Sequence, residues 1–190
     1  MPNRNTHQEV PHEERVVVHD EAGQLGRWID KGGILFAFGI VVAAAILLTE
    51  VFLRYVFNAP TFWAHETTTF LCGIAFLYGG LYCTARNSHI RVVLIYDSLS
   101  PYWRRMMNVV ISVVSFIACL FFIYAATIMA EKALYTPQGD FRLERSGSAW
   151  NPPSPASLKV LLLIILVLMA VQFLILAYNH FKRLGTERRK

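Results

Sequence analysis

The residues best suited to chemistry lie around the connection between the first two apolar segments of the chain. Glu50 and Arg54 are four residues apart and share one helix face, and His65 and Glu66 open the next segment at a similar depth. Charges beside apolar segments are costly unless they pair or reach water. Two interpretations fit: an ion relay centred on Glu50, and a structural clamp in which Arg54 bridges Glu50 and Glu66. The clamp is favoured, because transport sites usually lie near the middle of a membrane and this cluster lies at its edge.

The rest of the sequence lacks the usual arrangements of catalytic groups. It contains no nucleophile paired with a base, no His-Glu-x-x-His motif and no P-loop. Cys72, Cys83 and Cys119 form no C-x-x-C pair and are interpreted as packing residues. His65, His89 and His180 fall at three different edges of the apolar segments, whereas haem ligands would face one another. The sequence therefore predicts a protein that is not an enzyme, with no catalytic, cofactor-binding or metal site.

The elements that carry these residues are four long segments almost free of charge. Hydrophobic residues make up 55% of the chain and charged residues 16%, against roughly 25% in soluble domains. Each segment has about 18 residues or more, which lets a helix cross a hydrocarbon core of ~30 Å. We therefore predict an all-α integral membrane fold with short interfacial amphipathic helices and four transmembrane helices, at residues 32–56, 62–85, 101–130 and 157–179.

Polar segments flank the predicted membrane domain, residues 32–179. Residues 1–31 are interpreted as a tail ending in a short interfacial helix, because Leu25, Trp28 and Ile29 can form one apolar stripe. The acidic residues of this tail suit neither a signal nor a transit peptide, so the first helix is expected to stay as an anchor. Residues 180–190 form a basic tail.

The middle of every predicted helix is apolar, which argues against a substrate pathway within this chain alone. Small residues inside these helices are expected to be sites of close packing between them: Gly39, Ala43, Gly73, Gly79 and Gly80.

Basic residues are distributed unevenly between the two sides of the predicted membrane domain. Thirteen of the 18 Lys and Arg residues lie in the two tails and the second connection. The positive-inside rule therefore predicts that both termini are cytoplasmic. The net charge of +5 follows from this topology and from anionic lipid, and it does not indicate nucleic-acid binding.

Two connections carry further candidate contacts. On the cytoplasmic side, Ser100 and Pro101 are expected to begin the third helix, and a set of basic and aromatic residues is expected to contact lipid or a partner: Arg86, His89, Arg91, Trp103, Arg104 and Arg105. On the outer side, Pro60 is expected to begin the second helix. The proline run after Ser148 is expected to be extended, with Trp150, Asn151 and Pro152 anchoring the loop.

Three segments together resemble the DctQ family, the small permease subunits of tripartite ATP-independent periplasmic (TRAP) transporters. The run F-L-R-Y-V-F-N-A-P-T-F-W-A-H-E resembles the hairpin signature of that family, with Arg54, Tyr55, Trp63 and Glu66 at its characteristic places. The run A-R-N-S-H-I-R-V, from Ala85, resembles its cytoplasmic motif, and S-A-W-N-P-P occurs in a subset of members. The resemblance covers about residues 32–178.

The resemblance implies a scaffold subunit in the bacterial inner membrane. Its expected partners are a large DctM-type permease subunit, a periplasmic substrate-binding protein and membrane lipids. The complex would import an organic acid with a sodium gradient, sodium being bound by the large subunit. No cofactor is expected in this chain itself, although its membrane surface leaves room for a bound phospholipid. Two alternatives stay open: a small self-assembling ion-coupled transporter that uses Glu50, and a membrane anchor of a redox complex.

Overall fold

The computed structural model describes residues 23–86 and 100–187, and these ranges form four α-helices. The helices are α1 (Gly23–Val56), α2 (Ala64–Ala85), α3 (Pro101–Leu134) and α4 (Ser154–Glu187). Each contains a stretch long and apolar enough to cross a membrane. The described ranges contain no β-strand, apart from an isolated backbone bridge between Tyr135 and Phe141. The predicted all-α membrane fold with four transmembrane helices is confirmed.

Three helix starts differ from the sequence prediction. α1 begins at Gly23, so the residues assigned to a separate interfacial helix are its first turns. α2 begins at Ala64, and Pro60 lies in the preceding loop, not in the first helical turn. α4 begins at Ser154 and includes Pro155, which the proline run was expected to exclude from a helix. A proline is tolerated there because the N–H groups of a first turn have no intrahelical acceptor.

The start of α3 agrees with its prediction. Ser100 is the N-cap, with the extended φ of −62° and ψ of 156°, and Pro101 lies in the first turn. The Ser100 side chain makes no capping hydrogen bond. The predicted interfacial element before it lies almost entirely outside the described residues, as do most of the N-terminal tail and the last three residues of the chain.

The four helices pack in a row, in the order α1, α2, α4, α3. α1 packs chiefly on α2 and makes a smaller contact with α4, α2 packs also on α4, and α4 packs on α3. Only 11% to 28% of the residues in each membrane-spanning stretch are buried within the chain. Most of the apolar surface of the row is therefore available to lipid or to another protein.

The contact between α1 and α2 depends on two glycines of α1 that face two tyrosines of α2. Tyr78 and Tyr82 of α2 lie against Gly32 and Gly33 of α1, and a Cβ atom at Gly33 would lie 2.7 Å from the Tyr82 ring. The Tyr78 hydroxyl donates a hydrogen bond to the carbonyl of Ile29, at 2.5 Å. Small residues let the two backbones approach closely in a membrane, where hydrophobic burial does not drive helices together.

The helices meet in two apolar clusters. The first joins α1, α2 and α4 through Ile29, Leu81, Ala85 and Ile165, and the second joins α3 and α4 around Cys119 and Phe173.

The predicted packing sites divide into two groups. Ala43 is buried and Gly73 lies against Leu158, whereas Gly39, Gly79 and Gly80 have open space where a Cβ would be. Hydropathy alone cannot distinguish these cases, because it does not encode the rotation of a helix about its axis.

Candidate functional site

The outer end of the α1–α2 hairpin holds a buried carboxylate. The Glu50 side chain is only 2% exposed. Its Oε1 atom accepts hydrogen bonds from Arg54 Nε at 3.1 Å and Arg54 Nη2 at 2.5 Å. Its Oε2 atom accepts hydrogen bonds from the Thr61 backbone N–H at 3.0 Å and from the Thr61 hydroxyl. Four donors thus surround the carboxylate, which is the arrangement that stabilises its charged form.

Thr61 is a contact that the sequence analysis missed. It reaches Glu50 because the chain turns between the two helices, where Asn58 adopts a positive φ of 48° and Pro60 precedes Thr61. The Ala59 N–H donates to the Leu53 carbonyl at 3.1 Å, which holds the turn against the end of α1. An Asn-x-Pro-Thr sequence signals a turn, but it does not indicate which carboxylate the threonine will face.

The predicted bridge from Arg54 to Glu66 is not formed. Arg54 pairs with Glu50 and lies 3.4 Å from His65 Nε2, with 44% of its side chain exposed. Glu66 lies in the first turn of α2, where the helix dipole favours negative charge. Its Oε2 atom is buried without a hydrogen-bond donor among the described residues. The clamp is therefore built from Glu50, Arg54 and Thr61, and Glu66 is not part of it.

Trp63 sits at the junction between this clamp and α2. It is the residue before the first helical residue, and its carbonyl accepts hydrogen bonds from the Thr67 N–H at 3.0 Å and the Thr67 hydroxyl at 2.9 Å. Its indole is 44% exposed. A half-exposed indole at a helix end suits the headgroup layer or the surface of a partner.

The opposite end of the same hairpin holds a second ion pair. Arg86, just after α2, donates from Nε to Asp30 Oδ1 at 2.6 Å. Its guanidinium lies over the Tyr82 ring, 4.6 Å from the centroid, and the hydrogen bond to Asp30 raises the pKa of Arg86. Arg86 was a predicted contact residue, whereas Asp30 was not identified, because the two residues are 56 positions apart.

The remaining cytoplasmic candidates are only partly visible. His89 and Arg91 lie outside the described residues. Trp103 lies in the first turn of α3 with its side chain 50% exposed. Arg104 and Arg105 are in the same turn, and their side chains are outside the part of the chain that the structure describes.

The loop between α3 and α4 forms a compact turn around Asn151. Asn151 has a positive φ of 51°, and its Oδ1 atom accepts the Gly147 N–H at 3.1 Å. The Ser146 N–H donates to the carbonyl of Pro152 at 3.1 Å, and Arg145 Nη1 donates to the carbonyl of Asn151 at 3.2 Å. The segment expected to be extended is thus closed on itself.

Two further contacts fix that loop. An ion pair between Lys159 and Glu144 ties it to α4. The rings of Tyr135 and Phe141 meet edge to face, with centroids 5.8 Å apart. Trp150 remains 50% exposed. The loop therefore exposes an aromatic side chain from a backbone that these contacts hold in place.

Polar burial inside α4 corrects one expectation from the sequence. The middle of each helix was expected to be apolar, yet Gln172 is fully buried well within the apolar stretch of α4. Thr84 and Ser112 are also buried, and each hydroxyl donates to the carbonyl four residues earlier, which satisfies it within its own helix. A single glutamine among apolar residues is the sequence signal that was overlooked.

The potential metal ligands of the described ranges do not converge on one site, and the cysteines take no part in the Glu50 clamp. Residues 23–86 and 100–187 contain no group of three or more His, Cys, Asp and Glu side chains that could hold a metal ion. The three cysteines are unpaired, Cys119 being buried and Cys72 and Cys83 exposed.

The chain matches the model of a known protein family. The model of the family described as "Tripartite ATP-independent periplasmic transporters, DctQ component" matches residues 43–183, which is more than half of the chain. The matched range includes the Glu50 clamp, Arg86 and the outer loop. No curated protein and no solved structure matches the chain.

Proposed function

The chain belongs to the DctQ family of tripartite ATP-independent periplasmic transporters, and we propose that it is the scaffold subunit on which a large DctM-type permease assembles. The family and the four apolar helices point to a multi-pass inner-membrane protein. The large subunit moves the substrate, an organic acid, driven by a sodium gradient. A periplasmic binding protein delivers that substrate.

The arrangement of the helices in a row is the observation that carries the scaffold proposal. Helices that form a pathway must surround it, whereas α1 and α3 lie at opposite ends of this row. A row exposes two broad apolar faces, and one face can pack against another membrane subunit while the other contacts lipid. Small permease subunits that only support a partner need no more than this.

The clamp supports the same proposal and weakens the relay alternative. A coupling carboxylate must take up and release an ion, so it needs access and a changeable set of partners. Glu50 is 2% exposed and is held by four hydrogen bonds from residues of its own hairpin. These hydrogen bonds therefore suit a fixed structural connection between α1 and the loop.

The orientation that we propose has both termini in the cytoplasm, from the distribution of Lys and Arg. The clamp and the loop around Asn151 then face the periplasm. In this orientation, we expect Trp150 and the loop around it to face an approaching periplasmic binding protein.

Co-expression with a large permease subunit tests the scaffold proposal. We expect the two chains to copurify, and we expect proteoliposomes with both chains and the binding protein to take up an organic acid when a sodium gradient is imposed. Proteoliposomes with this chain alone should show no uptake above empty vesicles. Sodium-dependent uptake by this chain alone would contradict the proposal.

A further inference from the structure

The N-terminal end of α1 carries two cavities that share one lining residue, Lys31. The first, of about 290 Å³, is lined by Gln24, Arg27, Trp28 and Lys31. The second, of about 440 Å³, begins at Asp30 and Lys31 and continues between α1 and α2 past Ile34 and Ala37 to Ile40. From Lys31 to Ile40 the groove follows α1 for about 13 Å at 1.5 Å per residue. Lys31 thus lines both a small polar cavity and a mostly apolar groove.

The polar cavity carries positive charge. Gln24, Arg27, Trp28 and Lys31 are spaced three and four residues apart and therefore share one helix face. Neither Arg27 nor Lys31 forms an ion pair with another residue in the described ranges, where the neighbouring carboxylate of Asp30 is held by Arg86. Trp28 is 76% exposed beside them. Two basic groups and an indole at a membrane edge match the chemistry of a phospholipid headgroup.

The apolar groove has free space beside a glycine of α2, which has no side chain to fill it. Gly79 of α2 lines the groove, and a Cβ atom built there would have no neighbour within 4 Å. The stacked rings of Phe36 and Tyr78, with centroids 3.8 Å apart, form part of its wall. The volume lies within the range of small-molecule sites.

We propose that these two cavities form one site for an anionic phospholipid of the leaflet at which α1 begins. Arg27 and Lys31 bind the phosphate, Trp28 lies in the headgroup layer, and one acyl chain fills the groove between α1 and α2. The bound lipid covers the surface of the hairpin where Gly79 leaves open space. The site does not depend on the transport assignment.

Lipid titration of the purified full-length chain tests this site. Native mass spectrometry would count palmitoyl-oleoyl phosphatidylglycerol bound per chain, with palmitoyl-oleoyl phosphatidylcholine as the zwitterionic comparison. We expect one phosphatidylglycerol to bind with preference. Arg27→Gln with Lys31→Gln should weaken it about thirtyfold, since each basic group near an anionic headgroup contributes about fivefold.

Matched variants separate charge from shape and from misfolding. The double variant Lys132→Gln, Arg142→Gln removes the same number of positive charges at the opposite end of the helices. It should leave phosphatidylglycerol binding unchanged. Arg27→Lys with Lys31→Arg keeps the charge and should bind like the wild type.

The groove is tested by a glycine pair. Gly79→Leu should fill the groove and weaken phosphatidylglycerol at least fivefold, whereas Gly80→Leu, which also meets open space but does not line this groove, should not.

Three results would overturn the proposal. The first is equal binding of the two lipids by the wild type. The second is unchanged binding by the Arg27→Gln, Lys31→Gln variant. The third is unchanged phosphatidylglycerol binding by Gly79→Leu. If that variant also lost copurification with the large permease subunit, the groove would be assigned to a protein helix.

Discussion

Replacing Thr61 by valine removes one of the contacts that hold the outer hairpin together. Valine keeps the shape and the backbone N–H of the residue, so the hydrogen bond from Thr61 N to Glu50 Oε2 can persist at its 3.0 Å distance. Only the bond from the Thr61 hydroxyl to the same oxygen is lost. The change therefore isolates one contact between the loop and α1.

The expected cost follows from the burial and charge of the acceptor. Hydrogen bonds between neutral groups of membrane helices average about 0.6 kcal/mol, whereas bonds to charged groups contribute about 1.5–3 kcal/mol. The carboxylate of Glu50 is 2% exposed, so water cannot easily replace the missing hydroxyl. We therefore expect a loss of about 2 kcal/mol, which lowers the Tm of a chain of this size by about 4–8 °C.

The assay is the thermal unfolding of the purified chain in detergent, followed by circular dichroism. Thr69→Val is the matched control, because the Thr69 hydroxyl is exposed and donates only to the His65 carbonyl of its own helix, at 2.8 Å. We expect that control to lie within about 0.5 kcal/mol of the wild type.

A double-mutant cycle makes the test specific. Combining Thr61→Val with Glu50→Gln should cost less than the sum of the two single changes, with a coupling of about 1 kcal/mol or more. The clamp would be refuted if Thr61→Val melted like the wild type, if Thr69→Val lost as much stability, or if the cycle gave no coupling.

Three further predictions concern the other contacts. Asp30→Asn and Arg86→Gln should each lower the Tm slightly. Their combined cost should fall short of the sum by a coupling energy of about 0.5–1 kcal/mol, since the ion pair is only partly buried. Additive melting shifts would disprove the ion pair. Gly33→Leu should prevent close approach of α1 and α2 and lower the yield of folded chain in gel filtration, whereas Gly39→Leu, which meets open space, should not; equal yields would contradict the packing. Asn151→Val should remove the acceptor of the Gly147 N–H and strain the positive φ at this position. We expect it to reduce uptake by the assembled transporter without lowering the Tm by more than about 3 °C. Asn151→Gly should retain more uptake activity than Asn151→Val.

Local contacts in the outer hairpin were accessible from the sequence. The Glu50–Arg54 pair joins residues one helical turn apart, so spacing alone brings them together once α1 is a helix. The second partner of Arg54 was predicted wrongly, because Glu66 of α2 takes no part in the clamp. The partner of the second Glu50 oxygen is Thr61, which the sequence did not indicate, because the loop after Asn58 turns back onto α1 and α2 starts four residues later than Pro60 suggested.

Contacts between distant segments needed the structure. The Asp30–Arg86 pair, the burial of Gln172 and the open side of Gly79 all depend on how each helix is rotated and which neighbour it meets. In a soluble protein the apolar stripe of a helix reveals that rotation. Here lipid is as apolar as a protein core, so the stripe is absent and hydropathy carries no such information.

The sequence by itself determined the number, type and approximate bounds of the helices. A hydrocarbon layer of ~30 Å demands about 20 apolar residues per crossing, and it requires each crossing to satisfy its own backbone hydrogen bonds. Only the tertiary structure decided that the four helices form a row, that Thr61 closes the clamp, and that a mostly apolar groove opens beside Lys31. These features arise from side-chain packing between helices, which the composition of each helix does not specify.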